Sequence, residues 1–175
     1  MKGGAIHSQM RPTTKKAAKR LNAAIAPAVQ NFKPPEDLTV AEWADRYRRL
    51  SPETSAEAGP WRTSRTPYLA EPMKAFTDPK VHKIVMVAAS QVGKSELELN
   101  IIAYIIDQDP GSILFVQPSL DDARKFSRLR VAPMIRDSKP LRAKVADVKT
   151  RDSGNTILQK SFPGGMLTIT GEGLL

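Results

Sequence analysis

The first regular pattern of hydrophobic residues along this chain begins near residue 38 and has helical spacing. Trp43, Tyr47 and Leu50 recur at intervals of four and three residues, and Thr39 with Glu42 has the spacing of a capping box just before them. The pattern predicts an amphipathic helix of about three turns. Proline and glycine interrupt the polar stretch that follows, which predicts a surface loop and then a short helix.

A longer pattern between residues 84 and 116 predicts a strand, a helix and a second strand. Residues 84–89 are a short apolar run, partly β-branched, of the kind found in buried strands. Helical spacing then continues until the Asp-Pro-Gly sequence at 109–111, and residues 113–116 are a second run of buried-strand type. The length suits a βαβ unit, for which we expect parallel strands joined by a right-handed crossover.

The remaining pattern predicts another helix and a hairpin. Ser119 is placed to cap the helix. Its packed side is predicted to carry Leu120, Ala123, Phe126 and Leu129. The opposite side carries Arg124, Lys125 and Arg128, which we interpret as a solvated face. Residues 156–162 and 166–170 have strand-like sequences, and the Pro-Gly-Gly between them predicts a hairpin turn.

Composition places the chain among globular proteins of one-domain size. It has 175 residues, of which 41% are hydrophobic, and it has no cysteine, which excludes a disulfide scaffold and a thiolate metal site. No apolar run is long enough for a membrane helix, and the first 20 residues lack the apolar core of a secretory signal. We therefore expect a cytoplasmic protein with no membrane partner.

The net charge of +9 comes largely from the N-terminus, where six Lys and Arg residues and no acid lie within the first 20 positions. We interpret residues 1–37 as a basic arm and linker. Such an arm attracts the phosphate backbone of nucleic acids through counterion release. A solvated terminus accounts for the same charges equally well, because no aromatic residue is interleaved for stacking on bases.

The segment between the first predicted strand and its helix fits the Walker A pattern, except that alanine stands at the first glycine position. In such a loop the backbone N–H groups point at phosphate oxygens, and the helix N-terminus adds partial positive charge. Lys94 would reach the β- and γ-phosphates, and the Ser95 hydroxyl would ligate Mg²⁺. The candidate nucleotide-binding residues are Ala88, Ala89, Ser90, Gln91, Val92, Gly93, Lys94 and Ser95. The alternative is a chance Gly-Lys-Ser tripeptide, but its place between strand and helix favours nucleotide binding.

Four segments of the chain, in order, resemble the large terminase subunit of lambda-type tailed phages. They are GPWRTSRTPYL at 59–69, AASQVGKS at 88–95, ILFVQPSLD at 113–121 and FPGGMLTITG at 162–171. The resemblance covers about residues 38–171. It implies an α/β fold in which residues 38–175 are the N-terminal part of a P-loop NTPase domain, incomplete, with a parallel sheet and flanking helices.

The resemblance also implies a function. In that family the N-terminal part is an ATPase that drives double-stranded DNA into a procapsid, and the C-terminal part is a metal-dependent endonuclease that cuts the concatemer. The implied cofactors are ATP and Mg²⁺. The implied partners are double-stranded DNA, a small terminase subunit, and the portal and procapsid. The resemblance further suggests that Tyr68 stacks on adenine, although burial is an equally good account of Tyr68 and Trp61.

The sequence does not show the pair of catalytic acids that a complete motor needs. A motor of this kind needs a strand that ends in Asp, for the Mg²⁺ shell, followed by Glu to position water, and residues 172–175 do not supply them. Asp107 ends an apolar run, but we expect it to finish the helix after the loop. No cluster of Asp, Glu and His predicts a nuclease metal site. The catalytic residues are therefore unassigned.

These observations favour a truncated large terminase subunit, encoded by a phage or prophage, without the C-terminal nuclease domain. Two alternatives stay open. One is a non-catalytic module that binds DNA or terminase partners, and the other is an unrelated compact P-loop ATPase. Nucleotide binding distinguishes the first alternative from the leading hypothesis.

Overall fold

The computed structural model describes residues 36–145 and 155–172. The helices are α1 Val40–Tyr47, α2 Ala70–Phe76, α3 Lys94–Asp107, α4 Leu120–Phe126, α5 Ala132–Asp137 and α6 Lys139–Lys144, with 3₁₀ turns at Thr63–Arg65 and Pro67–Leu69 and a π-helical turn at Ser127–Val131. The strands are β1 Arg49–Leu50, β2 Gly59–Pro60, β3 Ile113–Gln117, β4 Gln159–Phe162 and β5 Gly165–Gly171. The predicted arm, apart from its last two residues, lies outside the described residues.

Local sequence signals account for the start of α1. The Thr39 hydroxyl accepts a hydrogen bond from the Glu42 N–H, and the Glu42 carboxylate accepts one from the Thr39 N–H, which confirms the predicted capping box. The helix ends at Tyr47, one turn short of Leu50, which lies in β1 instead. Trp43 is fully buried, and α1 packs against α2 and α3.

The main sheet has three strands in the order β3–β5–β4. β3 and β5 are parallel, with Ile113 opposite Leu167, and β4 and β5 form the predicted antiparallel hairpin. Gly164 turns between them with a φ of +88°. β3 forms where it was predicted, but it lies at the edge of the sheet, so that Leu114 is 56% exposed. The prediction that this strand is buried is therefore wrong.

The predicted strand at 84–89 is not formed. Residues 81–89 have no regular secondary structure, and Val85 and Val87 are 72% and 96% exposed. A strand depends on hydrogen bonds to a neighbouring strand, and in the described part of the chain no strand pairs with this segment. The predicted βαβ unit is accordingly absent, and the parallel pair joins β3 to β5.

The helix after Ser119 starts as predicted, because the Ser119 hydroxyl accepts a hydrogen bond from the Asp122 N–H at 3.1 Å. The prediction that Leu129 lies on the packed side of this helix is wrong, because Leu129 is 61% exposed. The π-helical turn is the reason: the Ala132 N–H donates to the Ser127 carbonyl, five residues back, and this inserts an extra residue into the turn. Residues beyond it are rotated relative to an uninterrupted α-helix.

The hydrophobic core lies around α3, which contributes residues from nearly every turn. The largest fully buried apolar side chains are Trp43, Leu69, Met73, Leu99, Ile106, Met134, Leu141, Leu167 and Ile169. The described structure is thus α/β, with helices packed on small sheets. None of its described helices is long and apolar enough to cross a membrane.

Candidate nucleotide-binding loop

The loop that leads into α3 has an unusual backbone. Gln91 and Gly93 both have left-handed conformations, with φ of +59° and +84°. Gly93 is the N-cap of α3, and a Cβ built on it would lie 3.3 Å from the Leu69 Cδ1 atom. Both its conformation and its close neighbour therefore favour glycine.

The N-terminus of α3 has no side-chain cap. The Gly93 carbonyl accepts hydrogen bonds from the Glu96 and Leu97 N–H groups, both at 3.0 Å. The earlier N–H groups have no partner within the helix, and glycine has no side chain with which to cap them. This arrangement presents backbone donors and a positive dipole end to an anion.

Lys94 and Ser95 stand in the first turn of α3. The Lys94 ammonium folds back over the loop and donates to the Ala88 carbonyl at 2.9 Å. Lys94 is exposed and Ser95 is partly buried. The ammonium is thus held above the loop by a bond that a phosphate oxygen can replace, because an anionic acceptor makes the stronger hydrogen bond.

Tyr68 precedes this loop in the sequence, and its neighbour Leu69 packs beside the loop. It belongs to the 3₁₀ turn Pro67–Leu69, whose Leu69 is fully buried beside Gly93, and Tyr68 itself is 54% exposed. Trp61 differs, since it is buried and its indole N–H donates to the Thr63 hydroxyl at 3.0 Å. Burial therefore explains Trp61 and does not explain Tyr68.

A cavity of about 420 Å³ borders the loop on the side of α2 and residues 81–86. It is lined by Phe76, Met86, Ile101, Lys94 and Glu98, among others. Glu98 is exposed overall, but partial desolvation of its carboxylate raises its pKa, and the nearby Lys94 ammonium opposes this increase without cancelling it. Sequence reasoning missed Glu98, although its position one helical turn after Lys94 places both on one face.

Residues 55–174 match the family described as phage terminase large subunit gpA, ATPase domain. The match covers more than half of the chain. The chain belongs to this family. This confirms the resemblance to lambda-type terminase large subunits that the sequence predicted.

Two curated relatives agree with this family. The chain is 29% identical to the large terminase subunit of Escherichia phage lambda over 146 residues, which are 83% of this chain and 22% of that protein. It is 27% identical to the large terminase subunit of Enterobacteria phage P21 over 152 residues, which are 86% of this chain and 23% of that protein. The chain therefore spans less than a quarter of the length of either relative. No solved structure matches it.

The first turn of α3 in this terminase ATPase domain also carries a charge cluster. The Glu96 carboxylate accepts a hydrogen bond from Arg48 at 3.0 Å and forms an ion pair with Arg130 at 3.4 Å. These residues are 48 and 34 positions apart from Glu96, so no local pattern in the sequence indicates that they meet.

Asp107 lies at the opposite end of α3, as predicted. Its carboxylate accepts a hydrogen bond from the Trp43 indole at 2.7 Å and forms an ion pair with Lys144 at 2.8 Å. Burial raises the pKa of Asp107, but hydrogen bonds from Lys144, Trp43 and Gln108 together lower it by a larger amount. The net shift of this pKa is therefore downward. With 14 residues in the helix, Asp107 is about 20 Å from Lys94 and cannot act on a phosphate held there.

The donor set of the loop suits a metal-nucleotide complex better than a metal ion alone. Across residues 36–145 and 155–172 no group of three His, Asp or Glu side chains is placed to hold a metal ion. The sequence prediction assigns the Ser95 hydroxyl to Mg²⁺, and phosphate oxygens and waters would supply the remaining ligands.

Proposed function

We propose that this terminase ATPase domain binds ATP through residues 88–95 and serves in a motor that packages viral DNA. The observation that carries the proposal is the open N-terminus of α3, with Gly93 in a left-handed conformation and the Lys94 ammonium resting on the Ala88 carbonyl. Ammonium, backbone donors and helix dipole all favour an anion at one place. An isolated Gly-Lys-Ser tripeptide on a surface loop would not combine them.

The residues of the loop divide the work of holding the nucleotide. Backbone N–H groups around Gly93 bind phosphate oxygens, and Lys94 exchanges the Ala88 carbonyl for the β- and γ-phosphates. The Ser95 hydroxyl ligates Mg²⁺, which would neutralise phosphate charge when bound. The exposed ring of Tyr68 stacks on the base.

Calorimetric titration with Mg-ATP tests this proposal. We expect binding by the 175-residue chain and loss of that binding in Lys94→Ala, since a charge-assisted hydrogen bond contributes up to about 3 kcal/mol. Lys125→Ala is the matched control, because it removes the same charge from an exposed helical position on α4. The absence of binding to the parent chain, or equal affinity in Lys94→Ala, would remove the assignment.

We further propose that double-stranded DNA is a partner and that residues 1–20 contribute to its binding. The support is the six basic residues of that segment together with the membership of a DNA-packaging family, and the segment lies outside the described residues. A small terminase subunit, the portal and the procapsid are the remaining proposed partners. Cutting of the concatemer belongs to the same proposal for the whole protein.

The salt dependence of DNA binding tests the basic arm. We expect sequence-independent binding whose logarithmic affinity falls steeply with the logarithm of salt concentration, and a shallower slope after deletion of residues 2–20. An unchanged slope and affinity would show that the arm does not bind DNA. Docking of a small terminase subunit to the same arm is then the competing explanation of its charge.

A further inference from the structure

Glu96 joins three parts of the chain at the first turn of α3. One of its carboxylate oxygens lies 3.0 Å from Arg48, which follows α1, and the other lies 3.4 Å from Arg130, in the π-helical turn. The same Arg130 nitrogen donates to the Thr54 carbonyl at 3.1 Å, in the loop between β1 and β2. The two arginines therefore hold Glu96 from two sides.

This cluster is expected to add little to the free energy of unfolding. Arg48 is only 4% exposed, and burial lowers its pKa while Glu96 and Asp137 act in the opposite direction. Its Nε atom is buried and has no hydrogen-bond partner among the described residues. Ion pairs with such burial frequently stabilise a protein no more than apolar side chains of the same volume would. An explanation other than stability is needed for their presence.

The π-helical turn sets the direction in which the Arg130 side chain extends toward Glu96. Pro133 follows this turn, and in an uninterrupted α-helix its ring would clash with the carbonyl of Leu129. The wider π turn accommodates the proline and changes the direction of the side chains around it. Arg130 thereby reaches both Thr54 and Glu96, while Leu129 is left exposed.

We propose that Glu96, Arg48 and Arg130 are positioning residues for the nucleotide-binding loop. Glu96 is two residues after Lys94, and its N–H is bonded to the Gly93 carbonyl, so a shift of Glu96 moves both Lys94 and the N-cap. The arginines fix the direction in which the first turn of α3 faces. This inference rests on the proposed function, because it assigns the cluster a role in holding that site ready for phosphate.

The experiment compares two carboxylates of the same helix. Glu96→Gln removes the charge that the arginines hold, while Asp107→Asn removes a carboxylate of comparable burial and bonding at the other end. Dissociation constants for Mg-ATP and melting temperatures are measured for both. We expect affinity to fall roughly tenfold in Glu96→Gln and to stay within about twofold in Asp107→Asn, even if Asp107→Asn lowers the melting temperature as much.

Arg130 supplies a second pair of variants, in case Glu96→Gln does not fold. Its side chain is 36% exposed, so that Arg130→Gln is tolerable on packing grounds. We expect Arg130→Gln to weaken Mg-ATP binding and Arg130→Lys to restore part of the loss, because the lysine keeps a charge for Glu96 but loses the forked geometry.

The outcomes separate this inference from the proposed function. Nucleotide binding that is lost in Lys94→Ala but unchanged in Glu96→Gln and Arg130→Gln would overturn the positioning role alone. Equal losses in Glu96→Gln and Asp107→Asn would also overturn it, since a general loss of stability would then explain both. A parent chain that binds no nucleotide would overturn both proposals together.

Discussion

The two ends of α3 use the same kinds of residue for different purposes. At its C-terminal end, Asp107 is enclosed by Trp43, Lys144 and Gln108, all of which donate to its carboxylate. At its N-terminal end the backbone donors are uncapped, Lys94 is exposed and a cavity adjoins the first turns. The closed end anchors the helix to α1 and α6, and the open end is where the proposed function places the phosphates.

Under the proposed function, this contrast separates stability and function within one element. Removal of the Asp107 carboxylate would lower the free energy of unfolding, because its buried donors would be left without a partner. Uncapped donors and the left-handed conformation of Gln91 lower that free energy, since a residue with a Cβ rarely adopts this conformation.

The largest expected effect on stability follows from opening the closed end. Asp107→Ala leaves the Trp43 indole without its acceptor and the Lys144 ammonium without its ion-pair partner, and we expect a loss of about 3 kcal/mol in the free energy of unfolding. Chemical denaturation measures it. Asp109→Ala, which removes an exposed acid two residues further along, is the control and should cost under about 0.5 kcal/mol.

Affinity for Mg-ATP should change little in Asp107→Ala at temperatures where the variant is folded. A loss of affinity as large as in Lys94→Ala would show that the two ends are not separate in function.

Sequence patterns predicted those parts of the fold that depend on neighbouring residues. The capping box of Thr39, the cap at Ser119 and the turn at Gly164 each involve contacts within a few positions. The prediction of a strand at 84–89 was wrong because strand formation depends on a partner strand that is distant in the sequence. Leu129 was misplaced because the π-helical turn changes the helical period that the prediction assumes.

The candidate site divides in the same way. The Walker-like pattern of residues 88–95 is visible in their order along the chain, and in the structure residues 88–93 lead directly into α3. The Arg48–Glu96–Arg130 cluster could not be recognised, since its members come from separate elements and charged residues at such spacings are common. Glu98 lies between these cases, because its spacing from Lys94 is local but the desolvation that raises its pKa depends on the fold around it.

A smaller effect is expected from substitution at the open end. Gly93→Ala places a Cβ in a left-handed conformation and 3.3 Å from Leu69, which should lower the free energy of unfolding by about 1–2 kcal/mol. The loop shifts to relieve this contact, so Mg-ATP affinity should fall as well. Gly111→Ala is the control, because nothing lies within 4 Å of its added Cβ and its φ is not positive.

Denaturation and Mg-ATP titration of both glycine variants measure the difference between them. If Gly93→Ala matched Gly111→Ala in stability and affinity, the left-handed backbone would have no part in the site.

The smallest effect concerns pH, and its sign should differ between two acids of α3. The pKa of Asp107 is lowered in the folded protein, so its charged form stabilises the fold above the unfolded pKa, and this contribution is lost as pH falls. The pKa of Glu98 is raised, mainly by desolvation, so its charged form opposes folding at neutral pH, and protonation removes this penalty as pH falls.

Melting temperatures of Asp107→Asn and Glu98→Gln between about pH 7 and pH 3 test both signs, because carboxylates titrate near pH 4. Asp107→Asn should melt below the parent at pH 7 and Glu98→Gln above it, and both differences should shrink on acidification. A Glu98→Gln variant that melts below the parent at pH 7 would mean that the Glu98 charge stabilises the open end through Lys94, and the contrast between the two ends would then not extend to their acids.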